Sequence, residues 1–233
     1  STLAQIYKEA EPDGTFKGGP AYYMQNALKS RNMGIAFAIL ITLCYGFVFN
    51  AVQSNTIASA FENSFAFDDN WMALILVLFT GLIIFGGVKR IAKFTNIVVP
   101  FMAIVYLLVV FYVIALNVSE VPGVLKMIVE EAFGWREAAG GAMGAGLVQG
   151  IKRGLFSNEA GMGSAPNAAA TADVSHPVKQ GLIQALGVFT DTLVICTATA
   201  LLILIGGQYL DGAADGIMLT QASLVYEVGN WGS

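Results

Sequence analysis

Long uncharged, apolar stretches alternate with short polar ones along this chain, and the pattern predicts helices of membrane-crossing length. Asn32–Phe61, Asn70–Val88 and Phe94–Ser119 carry no charge, and Gln180–Leu210 carries only Asp191. Each can span a hydrocarbon layer about 30 Å thick. We place the spans at about 33–61, 70–88, 95–118, 138–172 and 180–207, in one transmembrane domain covering 1–233. The connections are a polar Lys8–Arg31, an acidic Glu62–Asn70, a tight basic Lys89–Lys93 and a mixed Glu120–Glu137. Part of the last is expected to be an interfacial helix around Val124–Phe133. Gln208–Ser233 reads as a polar, Gly-rich exit without a closing element.

The span at 138–172 does not read as one continuous helix. Ala138–Ile151 is uncharged and Gly-rich, Lys152 and Arg153 interrupt it, and Ala160–Ala172 is uncharged again. Ser157, Asn158, Glu159, Gly161 and Gly163 lie between the halves, with Pro166 just beyond. This composition predicts two half-helices meeting near 156–163. Irregular backbone at membrane depth persists only where protein covers it or where it lines a cavity. Such breaks are also how many secondary transporters build their binding sites. A connector lying outside the bilayer is the competing reading.

Composition agrees with a membrane location and removes other classes. The chain is 56% hydrophobic and 12% charged, about half the charge of a typical soluble domain. Its net charge of −4 and the lack of a basic cluster give no footing for a nucleic-acid partner. Cys44 and Cys196 lie in apolar runs and read as small hydrophobes. His176 precedes Pro177 and is expected to cap or turn a loop. No nucleotide, hydrolase or zinc signature is present, so no enzymatic activity is expected. Lys and Arg alternate between the short loops in phase with the spans, which puts residue 1 on the cytoplasmic side. The loop holding Lys126 and Arg136 fits that alternation least.

Candidate chemistry sits at the break and in two other spans. A half-helix ending near Phe156 would present unpaired carbonyls, and one starting near Asn158 unpaired N–H groups. Opposed ends of that kind suit a zwitterion or a cation. Gly161 and Gly163 permit the backbone geometry of the break. Gly146, Gly150 and Gly154 form a smooth stripe suited to close helix packing. In the first span Phe47, Asn50 and Ser54 share a face, with Gln53 at its edge. Glu159 is within geometric reach of Arg153 or Lys152 for an ion pair, or ties down the break. Asp191 and Thr192 offer hard oxygen ligands for sodium, or else pair with the break.

The stretch GLFSNEAGMGSAPNAAATA at Gly154–Ala172 resembles the signature of the alanine/glycine:cation symporter family. GGPAYYM at Gly18–Met24, HPVKQG at His176–Gly181 and FTDT at Phe189–Thr192 are similar to that family in the same order. The resemblance implies an all-α integral membrane protein, a partial core of the leucine-transporter-like (APC superfamily) inverted-repeat fold. The chain would supply helices three to seven, with helix six discontinuous, and so be a piece of a longer protein. It further implies sodium-coupled symport of alanine or glycine across the cytoplasmic membrane, with an amino acid, sodium and the lipid bilayer as partners. By the resemblance Phe47, Gln53 and Phe156 would face the substrate; by the reading of the break, the backbone from Phe156 through Ser157, Asn158, Gly161 and Gly163 would contact it too. Glu159, Asp191 and Thr192 would couple the cation or hold the structure. Another small solute or a coupled proton would suit the same fold. A cation channel would also use intramembrane carboxylates and carbonyls, but no re-entrant filter loop is visible.

Overall fold

The computed structural model describes residues 1–132, 142–208 and 216–229, and nearly all of its regular structure is helical. Three helical stretches among the described residues are long and apolar enough to cross a membrane: Arg31–Phe65, Gly87–Leu116 and Pro177–Gly206. A shorter apolar helix, α5 (Asp69–Ile84), lies between the first two. Large apolar side chains such as Leu82, Ile97 and Phe101 stand on their outer surfaces rather than in a core.

Two of the long stretches are interrupted by a π-helical turn. Arg31–Phe65 consists of α3 (Arg31–Leu43), the π turn Cys44–Phe49 and α4 (Asn50–Phe65). Pro177–Gly206 consists of α10 (Pro177–Thr190), the π turn Asp191–Cys196 and α11 (Thr197–Gly206). A π turn inserts a residue into the helical ladder, rotates the residues downstream of it, and is frequent at functional sites.

The chain divides into two compact units, residues 1–50 with 137–194 and residues 51–136 with 195–233. In the first, α1 (Thr2–Ile6) packs on α9 (Ser164–Ala170) and α10. An antiparallel hairpin of β1 (Glu9–Ala10) and β2 (Phe16–Lys17) comes next, then α2 (Pro20–Asn26) against α3. Gly34 makes that last approach possible, because a Cβ there would meet the Ala21 carbonyl oxygen at 2.7 Å. His176 caps α10, its Nδ1 accepting from the Val178 N–H, with Pro177 at the first helical position.

In the second unit α5 and α6 (Gly87–Leu116) form a helical hairpin. Asp68 caps α5 by accepting from the N–H groups of Asn70 and Trp71. Val110 and Val113 of α6 are fully buried against Ala198 and Leu202 of α11. The helix in the Glu120–Glu137 connection is α7 (Val121–Ala132), with Val124 packed against Leu201 and Ile205. Phe133 and Arg136 lie outside the described residues.

The expectation for 208–233 is corrected. A helix, α12 (Gly216–Val228), packs along α11, and Ser223 meets the bare backbone of Gly206. Leu224 and Val228, four residues apart on α12, join the Val110–Leu202 cluster. The basic residues Lys89, Arg90 and Lys93 also differ from the loop expected of them. The chain turns at Phe85–Gly86, and all three occupy the first two turns of α6.

Candidate functional site at the broken helix

α8 (Ala142–Ser157) stops at Ser157, and the chain does not become helical again until α9 begins at Ser164. Glu159, Gly161 and Gly163 have left-handed φ values of 49°, 80° and 83°. The end of α8 is closed by two backbone bonds, Glu159 N–H to the Phe156 carbonyl and Ala160 N–H to that of Leu155. This is the Schellman arrangement, with Glu159 in the left-handed position usually given to glycine. The expectation of unpaired carbonyls near Phe156 is therefore corrected: those of Leu155 and Phe156 are taken. That of Gly154 accepts from both the N–H and the side-chain amide of Asn158. The second half-helix starts at Ser164, six residues beyond the expected Asn158.

Both π turns meet this break. From the turn after α3, Tyr45 stacks on Phe49 with ring centroids 4.5 Å apart, and Phe49 stacks on Phe156 at 5.4 Å. The Tyr45 hydroxyl donates to the Met162 sulfur at 3.5 Å. From the turn after α10, Asp191 Oδ2 accepts from the Ser157 hydroxyl at 2.6 Å. One residue on, Thr192 Oγ1 donates to Asn158 Oδ1 at 3.1 Å. Aromatic rings thus clasp one side of the break and a polar ladder clasps the other.

Glu159 turns its carboxylate toward the start of α9, accepting from the Ser164 hydroxyl. Among the described residues Glu159 forms no ion pair with Arg153 or Lys152, so that expected pairing is not formed. A cleft of about 230 Å³ opens beside the ladder, lined by Ser157, Asn158, Glu159, Ala165, Gln184 and Asp191. Its polar groups are carboxylate and hydroxyl oxygens and the amides of Asn158 and Gln184, which offer oxygen ligands to a hard cation and both donors and acceptors to a zwitterion. Among the described residues His, Cys, Asp and Glu do not gather in threes.

The second half-helix is held from behind by the N-terminal segment. Gln5, only 5% exposed, donates to the carbonyls of Ala169 and Ala172, and Lys8 Nζ donates to that of Ala172 at 2.7 Å. These groups satisfy the C-terminal end of α9. Gly18 approaches Ala170 so closely that a Cβ would lie 2.8 Å from the Ala170 Cβ. The motif GGPAYYM therefore serves to seat α9. A Cβ on Gly163 would meet the ring of Phe37 at 2.6 Å, whereas one on Gly161 meets nothing within 4 Å. Gly150 and Gly154 likewise face open space, so the stripe is not a packing seam among the described residues.

The structure thus gathers Phe156, Ser157, Asn158, Glu159, Gly161, Gly163, Asp191 and Thr192 in the first unit. Phe47 shares that unit but is 69% exposed, and Phe49 takes the place beside Phe156. Gln53 stands exposed on α4 in the second unit. Tyr45, Phe49, Met162 and Gln184 are site residues that the sequence reasoning missed. The pairing of Tyr45 with Phe49 four residues on was visible as a sequence signal. The π turn that aims it was not.

A helical protein with spans of membrane-crossing length, organised around a broken helix, defines the class. The whole chain, residues 1–233, matches the profile of the Sodium:alanine symporter family, and it belongs to that family. It is 60% identical to the "Probable sodium/glutamine symporter GlnT" of Bacillus subtilis (strain 168), over all of this chain and 48% of that protein. It is 52% identical to the "Amino-acid carrier protein AlsT" of the same strain, over 99% of this chain and 49% of the other. It is 37% identical to the "Sodium/alanine symporter AgcS" of Methanococcus maripaludis, over 96% and 51%. The chain spans about half the length of these curated relatives. The family and these relatives are transporters, not enzymes.

Proposed function

We propose that this chain forms the broken-helix part of a sodium-coupled symporter for small neutral amino acids in the cytoplasmic membrane. The single observation that carries the reading is the double clasp on the break. Asp191, Thr192, Ser157 and Asn158 present oxygen ligands at one point, next to backbone that leaves the helical path. Sodium would enter by taking over part of this ladder. An amino acid would lie along Ser157–Gly163 beside Phe156. Occupation would stabilise an occluded state, and rocking of one helix group against another would expose the site alternately. We assign the fold to the leucine-transporter-like inverted-repeat class on the sequence resemblance, with residue 1 on the cytoplasmic side.

Alanine and glycine fit the resemblance, and the name of the relative at 60% identity makes glutamine a second reading. The experiment is uptake of labelled alanine, glycine and glutamine by vesicles carrying the full-length protein, with and without an inward sodium gradient. Gradient-driven uptake of one of them supports the proposal and identifies the substrate. Equal uptake without sodium but driven by a proton gradient replaces the coupling ion. No uptake of any amino acid refutes the proposal.

A further inference from the structure

Away from the break, α5 and α6 leave a cleft of about 390 Å³ whose lining is almost entirely apolar. Phe79, Leu82 and Ile83 come from α5, Phe94 and Ile97 from α6, and the rings of Phe79 and Phe94 meet edge to face at 5.7 Å. The exceptions in the lining are two cations, Arg90 and Lys93, three residues apart on the first turns of α6. Arg90 is seated there by its stem, because a Cβ on Gly86 would meet its Cβ at 2.7 Å and its Cγ at 2.8 Å.

Among the described residues neither cation is held in an ion pair. The chain has no Asp or Glu between Asn70 and Ser119. Beyond Lys93 the helix is uncharged to its end at Leu116. The cations therefore sit where an apolar helix enters the polar edge of the bilayer. Phe85, at the turn, is 94% exposed.

We propose that this cleft binds one anionic phospholipid of the surrounding bilayer. Its phosphate sits on Arg90 and Lys93, and the first part of an acyl chain lies along Leu82, Phe79 and Ile97. The guanidinium fork matches two phosphate oxygens, and lysine adds a mobile point charge. A free phosphate would have no use for the apolar floor. A zwitterionic lipid would bring a compensating cation to a place already positive. The site is independent of the transport cycle and requires only that α5 and α6 lie in lipid.

The test uses the full-length protein in detergent, titrated with phosphatidylglycerol and with phosphatidylcholine and read by native mass spectrometry. The expected result is one phosphatidylglycerol retained at least about tenfold more tightly than phosphatidylcholine. Arg90→Gln with Lys93→Gln should weaken that retention by about fivefold per charge removed, while Lys29→Gln leaves it unchanged. Inorganic phosphate at equal concentration should not displace the lipid. Equal retention of the two lipids, an unchanged preference in the double variant, or displacement by inorganic phosphate would each overturn the proposal. Should the double variant fail to fold, Leu82→Trp provides a separate reading. Its added fluorescence should be quenched more by brominated-tail phosphatidylglycerol than by the brominated phosphatidylcholine. Equal quenching would also overturn it.

Discussion

The Ser157 hydroxyl, at the last residue of α8, donates to Asp191 Oδ2 at 2.6 Å, the first residue of the π turn after α10. These residues lie 34 apart in sequence, and the bond ties the end of the first half-helix to the π turn. Because the acceptor is a carboxylate, the bond is of the stronger, charge-assisted kind. Both ends are solvent-accessible, which moderates its worth to folding but leaves it open to exchange with a cation. Ser157→Ala and Asp191→Asn should each lower sodium-driven uptake by roughly tenfold, the effect of losing about 1.4 kcal/mol. The double variant should be no worse than the weaker single variant if the two act as a unit. Multiplying effects in an uptake assay would show that they act separately.

Glu159 has the left-handed φ of 49° that glycine adopts without penalty. A non-glycine residue there costs roughly 1–2 kcal/mol. Glu159→Gly should therefore raise the thermal midpoint of the purified protein while reducing uptake, since the carboxylate facing Ser164 is lost. Glu159→Gln keeps the strain and should leave the midpoint nearly unchanged. A midpoint that falls in Glu159→Gly would show that the carboxylate holds the fold together rather than serving transport.

The aromatic clasp gives a prediction that distinguishes two neighbours. Phe49 stacks between Tyr45 and Phe156, whereas Phe47 points away, 69% exposed. Stacked pairs are worth about 0.5–1.5 kcal/mol beyond their burial. Phe49→Ala and Phe156→Ala should both shift the ratio of glutamine to alanine uptake, toward the larger substrate. Phe47→Ala should leave the ratio unchanged. A shift caused by Phe47→Ala alone would return the wall to the residue that the sequence resemblance indicated.

Gly163 and Gly161 share a positive φ but differ in surroundings. An added methyl at Gly163 collides with Phe37 and Pro20, so Gly163→Ala should prevent accumulation of folded protein. Gly161→Ala pays only the backbone cost, about 1 kcal/mol, and should remain folded. Equal expression of both variants would show that α2 and α3 yield to the break.

Gln5 supplies a buried amide to the end of α9. Gln5→Ala removes one donor from each carbonyl, leaving Ala172 to Lys8 and Ala169 to the Ala172 N–H, at about 0.5–1.5 kcal/mol per bond lost. The thermal midpoint should fall, and proteolysis should begin near Ala172 rather than at the break. An unchanged midpoint would show that Lys8 alone holds that end.

Much of the helical order was legible because membrane spans are long and uncharged, and α3 to α6 leave that mark in the residues. The break was legible too, since Gly161 and Gly163 weaken a helix and Pro166 is compatible only with a first turn, which α9 gives it. Three things were not. The position of Phe49 rather than Phe47 depends on one inserted residue in the π turn, and no α-helical face count contains it. The Schellman closure at Glu159 was hidden because the usual mark of that closure is glycine. The helix Gly216–Val228 was passed over because Gly216, Thr220 and Gln221 gave its segment a polar look, although Leu224 and Val228 carry its packing face.

The most direct test of the break as the place where substrate and sodium bind is its accessibility in the full-length protein. Ala160→Cys, made with Cys44→Ala, Cys196→Ala and alanine at any further cysteine of the full-length protein, puts one reporter thiol inside the unwound segment. Its labelling by a small membrane-impermeant thiol reagent in vesicles should slow at least tenfold when sodium and the transported amino acid are present together. Sodium or amino acid alone should slow it little. A labelling rate indifferent to both would contradict the assignment and leave the break as a purely structural feature.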